Sequence, residues 1–396
     1  MAGRGILRSR ILQALLAVGI LITLLKFLNV NFEAYGVGNT AEAPEEILQP
    51  GSPPVPNVWT TIPGTHPPRR NESGANIPNI VHFVYLLPEG VEDFSFRFKE
   101  VLAVYAAWAF TDPDTIYLHT NASPEAIQRA RSGTQGKWNS IILNVPQLVV
   151  RPVESPDHAN NGVKILKMQH KGDFVRVAAL EEIGGIYLDM DAIPLRDLRP
   201  LIETGFNTVL GRQADGDIMS GNFMGKAGCR FFTQWRESMH QVFDQGWITH
   251  SNHLMGKLAK PLSAFEREIL IMESPVMGPV HWAGGYTQVF YRVHNDVESN
   301  LKGLQDGSPL RDFTNYAQDE GKHPSWQHDY SDTYILHSWH ERRGLRLPQG
   351  FARITPRYVL ERKSDFSRAV YHIAKRMYEQ GFIGFDDPWR YTTLEQ

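Results

Sequence analysis

The sequence predicts an α/β fold, an open and mostly parallel sheet flanked by helices, with one membrane-spanning helix at its N-terminus. Three observations carry this. From Ile77 onward, short apolar runs of strand length alternate with stretches of helical spacing, the order that parallel crossovers require. Near the start, "ILQALLAVGILITLLKFLNV" (11–30) is apolar apart from Gln13, Thr23, Lys26 and Asn29, and about 20 such residues span a bilayer. Between the two lies a proline-rich tract (31–76) whose prolines forbid helix and disfavour ladders. The 396 residues are 42% hydrophobic and 21% charged, with a formal net charge of −3. That is globular composition without the basic excess of a nucleic-acid binder, so no nucleic-acid partner is expected.

Arg4, Arg8 and Arg10 precede the apolar run and the acidic "AEAPEE" (41–46) follows it, which makes residues 1–10 a cytosolic tail. The run is longer than the apolar core of a cleaved signal peptide, and no small-x-small cleavage site follows it closely. Residues 11–30 therefore read as an uncleaved type II anchor. Residues 31–76, with "QPGSPPVPNVWTTIPGTHPPRR" at their centre, read as a stiff, extended stem, which leaves 77–396 as the folded domain. Asn71 and Asn121 begin N-glycosylation sequons that suit a luminal location, the second followed by Pro124. The lone Cys229 excludes an intramolecular disulfide and reads as a small core residue.

Within the domain, "NIVHFVYLL" (79–87) is a buried-strand pattern and "FSFRFKEVLAVYAAWAF" (94–110) has helical spacing. "TIYLHT" (115–120) reads as a strand. "SPEAIQRARS" (123–132) reads as a helix capped by Ser123 with Pro124 at its first position, and "SIILNV" (140–145) as a strand. No dinucleotide-binding glycine loop, phosphate-binding Gly-Lys-Ser/Thr loop, His-Glu-x-x-His pair or cysteine zinc pattern is present.

The informative segment is "HKGDFVRVAALEEIGGIYLDMDAIPLRDLRPL" (170–201). Asp173 stands where the N-cap of a helix over 174–183 is expected, and Gly184-Gly185 ends that helix. "IYLDMD" then reads as a strand that delivers Asp189 and Asp191 at its C-terminal end, the edge where open α/β sheets bind ligands. Asp173 and Arg176, three apart, share a helix face. Two further Asp-x-Asp pairs, Asp112/Asp114 and Asp215/Asp217, flank Pro or Gly and read as turns. For each of Asp173, Arg176, Asp189 and Asp191 alone, a cap, a surface charge or a turn is the simpler reading. Jointly, at this spacing, they suit a divalent ion gripping the doubly charged leaving group of a nucleotide diphosphate sugar.

"IPNIVHFVYL", "HKGDFVRVAALEEIGGIYLDMDAIPL", "NFMGKAG" (222–228) and "YILHSWHER" (334–342) resemble glycosyltransferase family 32, the DXD-containing sugar-binding domain of fungal α-1,6-mannosyltransferases and of α-1,4-glycosyltransferases. The resemblance covers roughly 77–345. It implies a GT-A type nucleotide-sugar-binding fold, retention of anomeric configuration and a Mn²⁺- (or Mg²⁺-) dependent donor, GDP-mannose favoured over a UDP-hexose. It assigns Asp173 and Arg176 to the donor sugar, Asp189 and Asp191 to the metal and diphosphate, and sets His337, Ser338 and Trp339 closing over the diphosphate, with His337 a further metal candidate. It places Asn222 facing the sugar, a turn asparagine being the alternative; Tyr85, at the end of the first strand, stands where a base could stack, and a buried aromatic is an equal reading. His281-Trp282 suits an acceptor groove, although a tryptophan there is expected in the core.

The acceptor that follows is a glycan, glycolipid or sphingolipid head group in the Golgi or endoplasmic reticulum, with other transferases as candidate partners. Two readings compete with it. A haloacid-dehalogenase-type phosphatase would use Asp189 as nucleophile and the acids of "GFIGFDDP" (381–388), but leaves Asp173, Arg176 and His337-Ser338-Trp339 without a task. A catalytically inactive glycan-binding subunit would keep the same residues.

Overall fold

A computed structural model describes residues 45–48, 58–61, 76–304, 323–341 and 346–393, all within one compact unit, Glu42–Gln396. The strands are β1 (Glu45–Leu48), β2 (Ile80–Val84), β3 (Thr115–Thr120), β4 (Leu148–Pro152), β5 (Gly184–Leu188), β6 (Ala192–Pro194), β7 (Thr208–Arg212), β8 (Ile218–Lys226), β9 (Ile269–Met272), β10 (Ile335–His337) and β11 (Arg390–Thr393). Seven of them form a central mixed sheet in the order β4-β3-β2-β5-β8-β7-β9. β4, β3, β2 and β5 run parallel, β8 runs antiparallel to both β5 and β7, and β9 is parallel to β7. The C-terminal ends of β5, β7 and β9 therefore lie along one edge.

Helices α1 (Phe98–Thr111), α2 (Pro124–Ser132) and α3 (Lys137–Leu143) lie in the first half, and α4 (Met168–Ile183) leads directly into β5. The helix expected over 123–132 forms as read: the Ser123 hydroxyl accepts from the Ala126 N–H at 3.1 Å, and Pro124 is the first helical residue. Gly184, at φ 73°, ends α4, and its N–H donates to the Leu180 carbonyl. Next to it, a Cβ on Gly185 would stand 2.4 Å from the Ile80 carbonyl oxygen of β2, so only glycine lets these strands approach.

Two expectations are corrected. "SIILNV" is not a strand: Lys137–Leu143 is helical and buries Trp138, Ile141 and Ile142, and the strand pairing with β3 is Leu148–Pro152. A short apolar run has no period that separates a buried helix turn from a buried strand. Asp173 is not a helix cap: α4 begins at Met168, so Asp173 lies inside the helix and its carboxylate is free for tertiary partners.

β5 is buried on both faces, and its side chains alternate between two cores. Ile186 and Leu188 join one core cluster with α1 and α3, while Tyr187 joins the other with Phe174, Phe223 and Trp235. The first cluster is closed from behind by the C-terminal helix Asp365–Glu379, whose Phe366, Val370 and Ile373 are fully buried. Two pieces of the tract read as a stem pack on the domain. β1 pairs in parallel with β11. Trp59 is buried edge-on against Trp108 and Phe382, its indole N–H donating to the Ile141 carbonyl at 2.7 Å. The apolar run 11–30 and the Asn71 sequon lie outside the described residues. Among those described, no helix is long and apolar enough to cross a membrane.

A buried histidine pair sits where β2, β3 and β5 meet. His82 spans between His119 and the Gly184 carbonyl, at 2.9 Å to each. Because a carbonyl only accepts, His82 donates through Nε2 and His119 donates to His82 Nδ1. Burial pushes both imidazoles down, His82 to about 4 and His119 to about 3. These folded-state values lie below the ordinary 6.5, so the stability present above that value is lost as pH falls toward 4. For His82 alone the loss is on the order of 3 kcal/mol. Denaturant unfolding between about pH 7 and pH 4 is expected to show this decline; a flat profile would contradict the buried neutral pair.

Candidate active site

The sheet edge at the end of β5 assembles the site. Asp189 leaves the strand with its N–H donating to the Gly221 carbonyl of β8 at 2.7 Å, and the turn through Met190 and Asp191 closes when the Ala192 N–H donates to the Asp189 carbonyl at 2.9 Å. β6 then pairs antiparallel with β10, placing Ala192 opposite His337. That pairing brings the imidazole over the two carboxylates: His337 Nε2 is 3.2 Å from Asp191 Oδ1 and 3.6 Å from Asp189 Oδ2. Neither ring nitrogen has another hydrogen-bond partner among the described residues. One ligand atom from each of Asp189, Asp191 and His337 falls within 4.8 Å of the others.

The electrostatics follow from this crowding. Burial pushes the His337 imidazole down, but Asp191 and Asp189 push it up further, to about 9. Burial would raise the Asp191 carboxyl, yet His337, Lys99 and Arg97 outweigh it and hold it well below the usual carboxylate range. A cation is thus already demanded at this point, and the donor set of two carboxylates and one imidazole suits a divalent ion. Gly221 shapes the space: a Cβ there would lie 2.6 Å from His337 Nε2 and 2.9 Å from Asp189 Oδ2. The residues present therefore fit a metal.

On the α4 side, Arg176 is the hub. Its Nη1 donates to Asp189 Oδ1 at 3.0 Å, and its Nη2 donates to Asp173 Oδ1 and, at 3.0 Å, to the Ser220 hydroxyl. The Tyr187 hydroxyl donates to the same Asp189 oxygen at 2.6 Å, and the other Asp173 oxygen meets His250 Nε2 at 2.7 Å. Burial disfavours the guanidinium charge, but Asp173, Tyr187 and Asp189 overcome it and hold Arg176 above its ordinary value. Asp173 thus spends both oxygens on protein partners and reaches Asp189 through Arg176.

On the far side, the backbone N–H and hydroxyl of Ser338 both donate to the Asp191 carbonyl, at 2.9 and 2.8 Å. Trp339 takes a left-handed backbone at φ 56°. Its indole N–H donates to the Val280 carbonyl at 2.7 Å, and its ring meets His337 edge-on at 3.9 Å. The buried Lys99 ties this segment to the turn, donating to the Trp339 carbonyl at 2.6 Å while lying 3.3 Å from Glu341 and 3.9 Å from Asp191.

Of the residues singled out from the sequence, Asp173, Arg176, Asp189, Asp191, His337, Ser338 and Trp339 come together. Tyr85 stands at the end of β2, half-buried against Phe94 and Phe96. Asn222 lies in the middle of β8, fully buried, its amide donating to the Met277 carbonyl at 3.1 Å. Cys229 is buried, as read. Asn121 is exposed, but its side-chain amide both accepts from and donates to the Leu87 backbone. The core expectation for Trp282 is corrected: its ring is 41% exposed, because its N–H is held at the surface by Asp215 at 2.7 Å. The late acids of the phosphatase reading, Asp386 and Asp387, are paired with Arg357 and Lys137, so they are engaged outside this cluster.

Tyr187, Ser220, Gly221, His250 and Lys99 were not singled out. Tyr187 had a signal, since it is two residues before Asp189 and so faces the same side. Lys99 had one too, as a lysine in a run otherwise destined for the core. Nothing local marks His250, which is 77 residues from Asp173.

Comparison with known proteins agrees with the resemblance over a shorter span. Residues 99–208 match the model of the glycosyltransferase sugar-binding region containing DXD motif. Glucan organizing enzyme 1 of Cryptococcus neoformans var. grubii is 27% identical over 199 residues, 47% of this chain and 50% of that protein, so the chain spans about half the length of this relative. Together they support a glycosyltransferase sugar-binding region of the DXD type here. Among solved structures, the glycosyltransferase GlyE of Streptococcus pneumoniae TIGR4 aligns over 81% of this chain and 66% of its own, with 13% identity and a TM-score of 0.32. The galactosyltransferase LgtC in complex with donor and acceptor sugar analogs aligns over 77% and 100%, with 14% identity and a TM-score of 0.32.

Proposed function

We propose that this chain is a metal-dependent, retaining glycosyltransferase of GT-A type that moves a hexose from a nucleotide diphosphate sugar to a glycan or glycolipid acceptor. One observation carries the reading: Asp189, Asp191 and His337 converge within 4.8 Å at the C-terminal end of β5, around the space that Gly221 leaves open. Asp189, Asp191 and His337 hold the divalent ion, Mn²⁺ or Mg²⁺, which when bound neutralises the donor diphosphate. Arg176 keeps the Asp189 carboxylate aimed at the site, and Lys99 and Ser338 fix the segment that carries His337 against Asp191.

Transfer proceeds on the front face of the donor sugar. The bond from the anomeric carbon to the diphosphate oxygen breaks, the acceptor oxygen bonds to that carbon from the same side, and its proton passes to the departing phosphate oxygen. No covalent intermediate is required. A nucleophile elsewhere, such as Asp215, is disfavoured: Asp215 is held in a surface turn, Oδ2 accepting from Trp282 and Gln213 and Oδ1 from the Asp217 N–H, which leaves Oδ1 room to accept from a hydroxyl. The donor favoured is GDP-mannose, ahead of a UDP-hexose. With residues 11–30 as a type II anchor, the domain works in the lumen of the Golgi or endoplasmic reticulum, beside other transferases and on a membrane-near acceptor such as a sphingolipid head group.

The full chain is tested by incubation with GDP-mannose, UDP-galactose, UDP-glucose and UDP-N-acetylglucosamine, with Mn²⁺ and after chelation. Turnover of one donor, lost on chelation, is expected. No turnover of any donor, together with no metal-dependent nucleotide binding, would contradict the reading. Gly221→Ala provides a finer check. Its methyl group enters the space between His337 and Asp189, and Mn²⁺ affinity by calorimetry is expected to fall about 10- to 100-fold, as when groups supporting a metal site are disturbed. Unchanged affinity would place the ion elsewhere.

A further inference from the structure

An exposed aromatic surface lies on the segment that follows β9. His281 lies in series between two rings, with its centroid 5.4 Å from Trp282 at 29° and 4.6 Å from Tyr286 at 22°. Both outer rings face solvent, Trp282 at 41% and Tyr286 at 60% exposure. They are nevertheless held. The Trp282 N–H donates to Asp215 Oδ2 at 2.7 Å, and the Ala283 N–H donates to His281 Nδ1 at 2.9 Å. Asp215 is itself fixed by Gln213 Nε2 and the Asp217 N–H, each at 3.1 Å. Burial would hide an apolar ring of this size; here hydrogen bonds hold it in place while leaving a face open.

Its position connects it to the chemistry. The turn carrying Asp215 follows β7 and the segment carrying Trp282 follows β9, and both strands end at the same edge as β5. Two residues before Trp282, the Val280 carbonyl accepts the Trp339 N–H, and the Trp339 ring abuts His337. The platform is thus linked to the metal cluster through Trp339 and His337.

We infer that Trp282, His281 and Tyr286 form a subsite for the acceptor, stacking the apolar face of a pyranose ring while Asp215 accepts from one of its hydroxyls. Open aromatic faces with a carboxylate alongside match a neutral ring that has one apolar face and hydroxyls at its rim. They do not match the donor's diphosphate, which needs cations. Around the platform, Asp215, Asp217 and Glu273 stand against Arg212, which lies 3.7 Å from Glu273. The inference rests on the glycosyltransferase reading for its role, but binding is measured without transfer.

The test uses the full chain and two sets of probes, soluble oligosaccharides (mannotriose, laminaritriose, lactose) and vesicles containing glucosylceramide. Saturation-transfer resonance reads binding, and initial rates read KM and kcat with whichever donor turns over. Trp282→Ala and Tyr286→Ala are expected to weaken binding of the accepted probe and raise its KM by roughly tenfold each, with kcat changed far less. Trp282→Phe, which keeps a ring face, is expected to recover most of the loss. Binding to the soluble sugar alone makes the free glycan the occupant; binding only to vesicles makes it a lipid-borne sugar. If wild-type protein binds no probe, or if Trp282→Ala leaves binding and KM unchanged or lowers kcat alone, the subsite is refuted. If binding depends on Trp282 while no donor is ever turned over, the subsite stands and the transferase reading fails.

Discussion

Replacing Asp189 and Asp191 together by asparagine is expected to lower metal-dependent donor turnover by about a thousandfold or more, the scale on which loss of a preorganised charge at a leaving group is felt. The two carboxylates are not duplicates. Asp189 has one oxygen committed to Arg176 and Tyr187 and turns the other toward His337. Asp191 is approached by His337 on one oxygen and by Lys99 on the other. Asparagine keeps the size and an acceptor oxygen for Arg176 and Tyr187, so the sheet edge should survive while the negative charge is lost. Thermal unfolding within a few degrees of wild type, beside the activity loss, separates this outcome from simple misfolding. Turnover within tenfold of wild type would mean that the carboxylates are only turn residues.

Arg176→Met is expected to have the largest effect on stability, roughly 3–5 kcal/mol in denaturant unfolding. The guanidinium side chain is only 6% exposed and stands between Asp173, at 9%, and Asp189, at 30%. Removing it leaves two carboxylates facing each other near Tyr187 without a cation, and His250 alone beside Asp173. Arg176→Lys is expected to recover part of the loss. An ammonium restores the charge but cannot fork to Asp173, Asp189 and Ser220 at once. A loss below about 1 kcal/mol for the methionine variant would show that Arg176 is not the hub of this network.

What was legible in the sequence was local. The strand 115–120, the Ser123-capped helix and the glycine stop after α4 each rest on nearest-neighbour stereochemistry, and they stand where they were read. The carboxylate pair was legible because a strand running out of glycine delivers its C-terminal residues to the ligand edge. Tertiary packing decided the rest. The run 140–145 looked like a strand because its apolar residues are consecutive, yet Trp138 and Ile142 make it a buried helix against α1. Asp173 looked like a cap because it immediately precedes the helical run read over 174–183, yet the helix continues backward to Met168 and turns that carboxylate toward Arg176 and His250. Trp282 shows a third kind of failure. Its size argues for burial, and only the distant Asp215 holds it in the open. Lys99, Gly221 and His250 matter through partners 92, 116 and 77 residues away, Asp191, His337 and Asp173, distances over which sequence spacing says nothing.

The central claim, that Asp189, Asp191 and His337 are one metal site, is tested most directly by calorimetric titration of the full chain with Mn²⁺ in the presence of GDP at several pH values. The neighbouring carboxylates raise His337 to about 9, so below that value the imidazole is protonated and the ion must displace the proton to bind. Affinity is therefore expected to rise about tenfold per pH unit between roughly pH 6 and 8, with one proton released per ion bound. The pH dependence is expected to vanish in His337→Ala. Binding that is absent, or equally tight across this range with no proton released, would contradict the account.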